Sequence, residues 1–326
     1  MADTSLSPQP SSFLLDAIAA VRGRVAEVLI GQQQALDYAL AVIFASGHGL
    51  IEGPPGVAKT LLVRALARAV STEFQRVQFT PDLMPADITG TTVFDLQTRA
   101  FRLVQGPVFT GFLLADEINR APAKTQAALL EAMQERTVTI DRLTHALPPH
   151  FCVFATENPI EHQGTYVLPE AQKDRFLLKI VMDYPTPGDE EALALRQAQG
   201  PAPDQSLAAD LPPAITAAQM DAARAAASAL TLQDDLCRYI VRLVRESRAH
   251  PAVQVGAGPR ATLALVRCSR VLAAVRGRAF VTPDDIKELA RPALEHRLVL
   301  KPEFELEGVT PSGVIEEVLS AVEVPR

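Results

Sequence analysis

His48-Gly49-Leu50-Ile51-Glu52-Gly53-Pro54-Pro55-Gly56-Val57-Ala58-Lys59-Thr60 runs from a short apolar stretch into a turn of Gly and Pro and ends on a Lys–Thr pair. The next residues, Leu61 to Ala69, have helical periodicity, so the whole reads as strand, loop, helix. A loop of this kind turns backbone N–H groups toward a polyphosphate, with Lys59 reaching the β/γ-phosphates and the Thr60 hydroxyl placed for Mg²⁺. The positive end of the following helix, which Leu61 enters, faces the same anion. Ala58 stands where the GxxxxGK[ST] pattern has its last Gly, and alanine resists φ > 0. Any left-handed turn is therefore expected at Gly56. A plain strand–turn–helix corner with an exposed lysine is the alternative.

Around this loop the chain alternates strand and helix. Strands are expected at 48–52, 76–79, 111–116, 151–156 and 177–182, and helices at 61–70, 122–134 and 169–174. That order gives a mainly parallel sheet covered on both faces. Two hairpins interrupt it, 92–96 with 101–104 and 136–140 with 143–147. Their placement between core elements points either to rim decoration or to arms that reach a substrate or neighbour.

The N-terminal residues 1–24 read as a helical extension and 25–186 as the α/β core. Pro/Gly-rich residues 187–215 read as a linker, and 216–326 as a small lid domain of helices without strand signal. At 326 residues, 48% hydrophobic and 21% charged, the chain can build two cores. No secretory or organellar address is seen at the N-terminus and no run spans a bilayer, so the expectation is a cytoplasmic protein. Cys152, Cys237 and Cys268 lie far apart without a CxxC, which gives neither a disulfide framework nor a zinc site.

A net charge of −7 argues against a nucleic-acid partner. Residues 238–301 nevertheless carry thirteen Lys/Arg against five Asp/Glu. Arg238, Arg242 and Arg245 share one helix face, read as a solvated face of a basic lid.

Phe112-Leu113-Leu114-Ala115 is an apolar strand that ends in Asp116 and Glu117. Ligands of parallel sheets bind beyond the carboxyl ends of the strands. Asp116 would emerge beside the phosphate loop to orient hydrated Mg²⁺, and Glu117 would polarise an attacking water. Asn158, after the strand at 151–156, could hold that water without repelling phosphate. A turn-initiating Asn-Pro pair is the bland reading.

The motif series resembles an AAA+ ATPase, specifically the MoxR family. LIGQ at 29–32, GPPGVAKT at 53–60, QFTPDLMPADITG at 78–90, LLADEINRAP at 113–122, ATENP at 155–159, LPEAQKDRF at 168–176 and GAGPRA at 256–261 carry the likeness. It covers about residues 25–300, and Ala58 agrees with this family. The resemblance implies an α/β fold, an AAA+ αβα core with a five-stranded parallel sheet, hairpin inserts and a helical lid. It further implies ATP and Mg²⁺ as ligands, and a homo-oligomeric, usually hexameric, ring.

By position, Gly53 to Thr60 would form the Walker A loop, with Thr60 and Asp116 at the metal. Asp116 and Glu117 would be the Walker B pair, Asn158 sensor 1, and Arg260 sensor 2, reaching the γ-phosphate from the lid. Arg175 would be the arginine finger given to the next subunit, with Arg120 and Arg142 as rivals. The implied role is chaperone-like, on protein clients that often carry von Willebrand factor A domains. A nucleic-acid motor, a chelatase-type motor and a nucleotide-dependent assembly scaffold are the alternatives.

Overall fold

The computed structural model describes residues 10–158, 166, 168–199 and 212–325. Residues 1–9 of the expected extension, Pro159 of the ATENP motif and linker residues 200–211 lie outside it. Along the chain the strands are β1 (Gly49–Glu52), β2 (Phe74–Gln78), the pair β3 (Gly90–Asp95) and β4 (Ala100–Gln105), and β5 (Phe112–Asp116). They continue with the pair β6 (Thr137–Ile140) and β7 (Leu143–Ala146), then β8 (Cys152–Glu157) and β9 (Leu178–Val181). The first helices are α1 (Pro10–Ala26), α2 (Gln33–Phe44), α3 (Lys59–Ala69), α4 (Pro85–Thr89), α5 (Ala123–Glu135), α6 (Glu170–Lys173) and α7 (Pro187–Gln199).

A five-stranded sheet in the order β2-β5-β8-β1-β9 is parallel throughout. Its central strands β5, β8 and β1 bury both faces, and their alternation sorts side chains into two apolar clusters. Phe112, Leu114, Cys152, Phe154 and Ile51 join one, and Leu113, Ala115, Val153, Ala155 and Leu50 join the other. Each fully buried Leu or Phe here contributes roughly 1.5–3 kcal/mol. Burial also makes the Cys152 thiol inert, pushing its pKa up to about 12.

The first cluster continues without a break into the lid. α1 packs on α3 and on the lid helices Ala217–Ala229 and Pro259–Val275, burying Leu14, Ile18, Val21 and Val25. The N-terminal helix is thus no loose extension but a strut between core and lid. Its amphipathic period was legible, but its partner is more than 190 residues away in sequence.

Two further expectations change. Residues expected as linker form the exposed helix α7, started by Pro187 and an acidic first turn, Asp189 and Glu190. The lid also carries a short antiparallel ribbon, Val253–Val255 with Val299–Leu300. Strands this short have too few residues to display alternation. Both expected hairpins are present. β6 and β7 join through Asp141 and Arg142, both at positive φ (48° and 69°), as a two-residue turn matched to strand twist requires.

Candidate active site

The carboxyl ends of β1, β5 and β8 open onto a cleft of about 490 Å³ lined by Pro55, Gly56, Ala58, Lys59, Thr60, Leu61, Arg76, Asp116, Glu117 and Asn158. The remaining loop residues shape it from beneath. Val57 is buried in the core, and Pro54 is half-buried. Gly53 lies so close to β9 that a Cβ would come within 2.2 Å of the Met182 carbonyl oxygen. Only glycine fits there.

Gly56 takes the expected left-handed turn at φ 86°, but Ala58 does so too, at φ 67°. The expectation that the turn would fall on Gly56 alone is corrected, because α3 must start abruptly under the loop. The strain is about 1 kcal/mol. α3 begins at Lys59 without a side-chain cap, leaving its first amides for an anion. Lys59 Nζ donates to the Gly53 carbonyl, 2.9 Å away.

Glu117 is also left-handed, at φ 55°. In a continuing strand Asp116 and Glu117 would face opposite ways. The left-handed step turns both carboxylates into one cleft, and strain of this sort gathers at functional sites. Two adjacent acids without a cation would repel each other, but the fold supplies cations of its own. Arg76 on β2 donates to Asp116 Oδ2 from Nε (3.0 Å) and Nη2 (2.6 Å), and the Thr156 hydroxyl donates to Oδ1 (2.6 Å). Thr156 Oγ1 in turn accepts the Glu117 amide at 2.8 Å. Glu117 Oε2 accepts from Gln78 Nε2 (2.6 Å) and Arg120 Nη1 (2.9 Å).

Arg76, Gln78 and Thr156 escaped the sequence reading. Their signal was present but faint: long polar residues at i, i+2 on the neighbouring strand, and a hydroxyl ending an apolar one. Asn158 is buried at 7% exposure on the same cleft. Beside it, burial raises the Glu157 carboxyl pKa, offset in part by Lys173 and Lys179.

The arginines assemble elsewhere. Arg175 and Arg260 line a separate pocket of about 180 Å³ with His48, Gln134, Asp174 and Arg297. Arg175 Nη1 donates to the Leu130 carbonyl on α5, while Arg260 Nη2 donates to Gln134 Oε1 (3.3 Å) and Nη1 lies 3.6 Å from Asp174 Oδ2. Arg260, expected to reach a γ-phosphate from the lid, thus lies outside the cleft that holds its own chain's phosphate loop. The lid seats its helix Pro259–Val275 against α2 and α5, not over the loop. Arg120, one rival finger, is paired with Glu117 of its own chain. Arg142, the other, stands exposed in the β6–β7 turn.

The arginine pocket is fixed from the lid by Arg297, only 5% exposed. Its guanidinium donates to Asp174 Oδ1 (2.7 Å) and to the carbonyls of Asp174 (3.3 Å), Phe176 (2.6 Å) and Leu177 (3.2 Å). That set encloses the turn bearing Arg175. Burial lowers the Arg297 pKa, and Asp174 opposes the change. His48 is buried, with Nε2 donating to the Met133 carbonyl and Nδ1 accepting the Val153 amide. Desolvation, then Arg136, drives its pKa down to about 3.

A family model described as "ATPase family associated with various cellular activities (AAA)" matches residues 48–178, and one for the AAA lid domain matches 245–318. Chaperone MoxR1 of Mycobacterium tuberculosis is 42% identical over 93% of this chain and 81% of its own length. Protein MoxR of Methylorubrum extorquens is 32% identical over 89% of this chain and 90% of its own. The chain belongs to the MoxR family of AAA+ ATPases. The uncharacterised YeaC of Bacillus subtilis is as similar, 42% over 91% of this chain and 92% of its own. A crystal structure from Cytophaga hutchinsonii, assigned provisionally as an ATPase, superposes at a TM-score of 0.88 with 38% identity over 97% of both chains. This MoxR-family member is thus an ATPase with the αβα core and helical lid of its relatives. Among the described residues no helix is long and apolar enough to cross a membrane.

Proposed function

We propose that the chain hydrolyses Mg²⁺-ATP at an interface between copies of itself, arranged head to tail in a ring, and uses the cycle to remodel protein clients in the cytoplasm. One observation carries this reading. Lys59, Thr60, Asp116, Glu117 and Asn158 share one cleft, while Arg175 and Arg260 share another on the same chain. Within the cleft Arg76 is engaged by Asp116 and Arg120 by Glu117, so a second subunit's arginines would supply the charge that a dissociating γ-phosphoryl group still lacks.

Backbone amides of 56–60 and Lys59 would cradle the phosphates. Glu117, released from Gln78, would take a proton from the attacking water, held in line by Asn158. The donor set fits a small hard cation: one hydroxyl, Thr60, and one nearly buried carboxylate, Asp116, already paired with a positive group. Among the described residues no group of three or more His, Cys, Asp or Glu is placed to hold a metal ion. This suits Mg²⁺, which takes one or two protein ligands and completes its shell with phosphate and water. Bound there, the ion would supply positive charge to the phosphates.

Clients with von Willebrand factor A domains, and six subunits per ring, follow from the family likeness. The exposed aromatic pair of the β3–β4 hairpin, Phe94 and Phe101 at 5.1 Å, would face such a client. Mixing tests the reading. Glu117→Gln and Arg175→Ala subunits, each inactive alone, are expected to regain activity together, because some interfaces then pair an intact cleft with an intact arginine. Mixtures as inactive as their parts, or a rate per subunit that stays flat on dilution, would refute shared catalysis. Salt-sensitive DNA stimulation of hydrolysis would favour the nucleic-acid motor.

A further inference from the structure

Asp116 is 9% exposed, and a carboxylate so enclosed needs a partner. Its partner is Arg76, which reaches across from the edge strand β2 to the end of β5. The pairing is unusual in shape. Nε and Nη2 both converge on the single oxygen Oδ2, at 3.0 and 2.6 Å, while Oδ1 is held by Thr156. A guanidinium normally spreads its fork over both carboxylate oxygens, which is the stronger arrangement. Here Arg76 covers one oxygen from the cleft side, and its side chain is 47% exposed. It neutralises Asp116 while remaining half-exposed to solvent itself. Nη2 also donates to Gln78 Oε1 at 3.0 Å, a second acceptor on its own strand that the side chain can keep when it lets go of Asp116.

We propose that Arg76 is a tethered counter-cation, occupying the Asp116 oxygen that a divalent metal takes over only when the nucleotide brings it. The inference rests on the reading of the cleft as a Mg²⁺-ATP site. A free metal ion must displace an intramolecular cation and gains only Asp116 and Thr60 in return. A metal already on phosphate oxygens keeps those ligands and displaces Arg76 at a net gain. Arg76 thereby orders binding, keeping the metal site closed until nucleotide arrives. It acts as a positioning residue for Asp116.

The test is Arg76→Gln in the full chain, read by Mn²⁺ electron paramagnetic resonance without nucleotide and with ADP, and by melting with and without MgCl₂. Without nucleotide, the variant should bind Mn²⁺ about ten-fold more tightly than wild type, since Asp116 has lost its charge-assisted partner. Its melting temperature should rise with Mg²⁺ by more than that of wild type. Adding Asp116→Asn to the variant should abolish both effects. Equal nucleotide-free Mn²⁺ affinities in wild type and variant would overturn the proposal. So would a loss of ADP affinity with Mn²⁺ binding unchanged, which would make Arg76 a phosphate ligand, and so would Mg²⁺ stabilisation that survives Asp116→Asn. If Arg76→Gln fails to fold even with Mg²⁺, the Arg76→Lys chain takes its place and should bind Mn²⁺ more tightly than wild type, having lost one of two bonds. Wild type that binds neither ADP nor Mn²⁺ with ADP would instead sink the underlying reading of the cleft.

Discussion

The cleft and the arginine pocket differ in how the chain builds them. The cleft is made at the ends of adjacent parallel strands, by residues that follow directly on apolar runs, and it tolerates backbone strain at Ala58 and Glu117. The arginine pocket joins α5, the 174–177 turn and the lid, residues more than 160 positions apart in sequence, through one buried guanidinium. Strain in the first is local and leaves the rest of the fold intact. Loss of a bond in the second weakens a contact between two domains. Changes in the cleft should therefore alter chemistry before stability, and changes at the junction stability before chemistry.

The largest effect expected is on turnover. Glu117→Gln removes the candidate base and should lower kcat by roughly 10²–10⁴-fold, while nucleotide affinity and melting temperature stay near wild type. A collapse in stability would erase the contrast. Next comes Arg297→Ala, which removes the buried guanidinium that ties the Asp174 carboxylate and the carbonyls of Asp174, Phe176 and Leu177 to the lid. A loss of about 3–5 kcal/mol is expected by urea unfolding, with core and lid melting separately. A loss under 1 kcal/mol would mean that the packing on α1 and α2 suffices to hold the lid.

Acid sharpens the comparison further, because the suppressed histidines sit at the junction. His48 has its pKa lowered to about 3, and that of His296, which bonds the Phe176 carbonyl, is pushed well below its usual value, both first by burial. Their folded pKa values lie below the unfolded one near 6.5, so unfolding takes up protons as pH falls. The stability that these neutral rings provide is complete above pH 6.5 and is lost progressively toward pH 3. Denaturation followed between pH 7 and 4 should show this slope, and His48→Asn should flatten it. The smallest effect is in the loop. Ala58→Gly relieves a left-handed alanine and should stabilise by about 0.5–1 kcal/mol, measurable by thermal unfolding. Destabilisation would mean that the alanine methyl, packed against the core, outweighs the strain.

Much of the cleft was legible because its information is local. An apolar run leading into the Gly/Pro loop before Lys59-Thr60, and others ending in Asp116-Glu117 and just before Asn158, announce strand ends, and in a parallel sheet all strand ends face one way. Arg76 was invisible for a related reason. Nothing within β2 says that its neighbour is β5, and only that pairing brings a guanidinium to Asp116. Ala58 was misread because intrinsic preference is a weak prior that packing can override. The seat of Arg260 was not legible because it depends on lid contacts with α1 and α2 and on Arg297, none of them near it in sequence.

The order of motifs by itself determined the family, the αβα core, both hairpins and the acids and amide that meet the loop, since period and strand polarity are properties of short segments. Tertiary structure alone decided which cation guards Asp116, that α1 braces the lid and that the arginines face away from their own cleft. Those outcomes depend on contacts between segments far apart in the chain, where packing selects among arrangements that local pattern leaves equal.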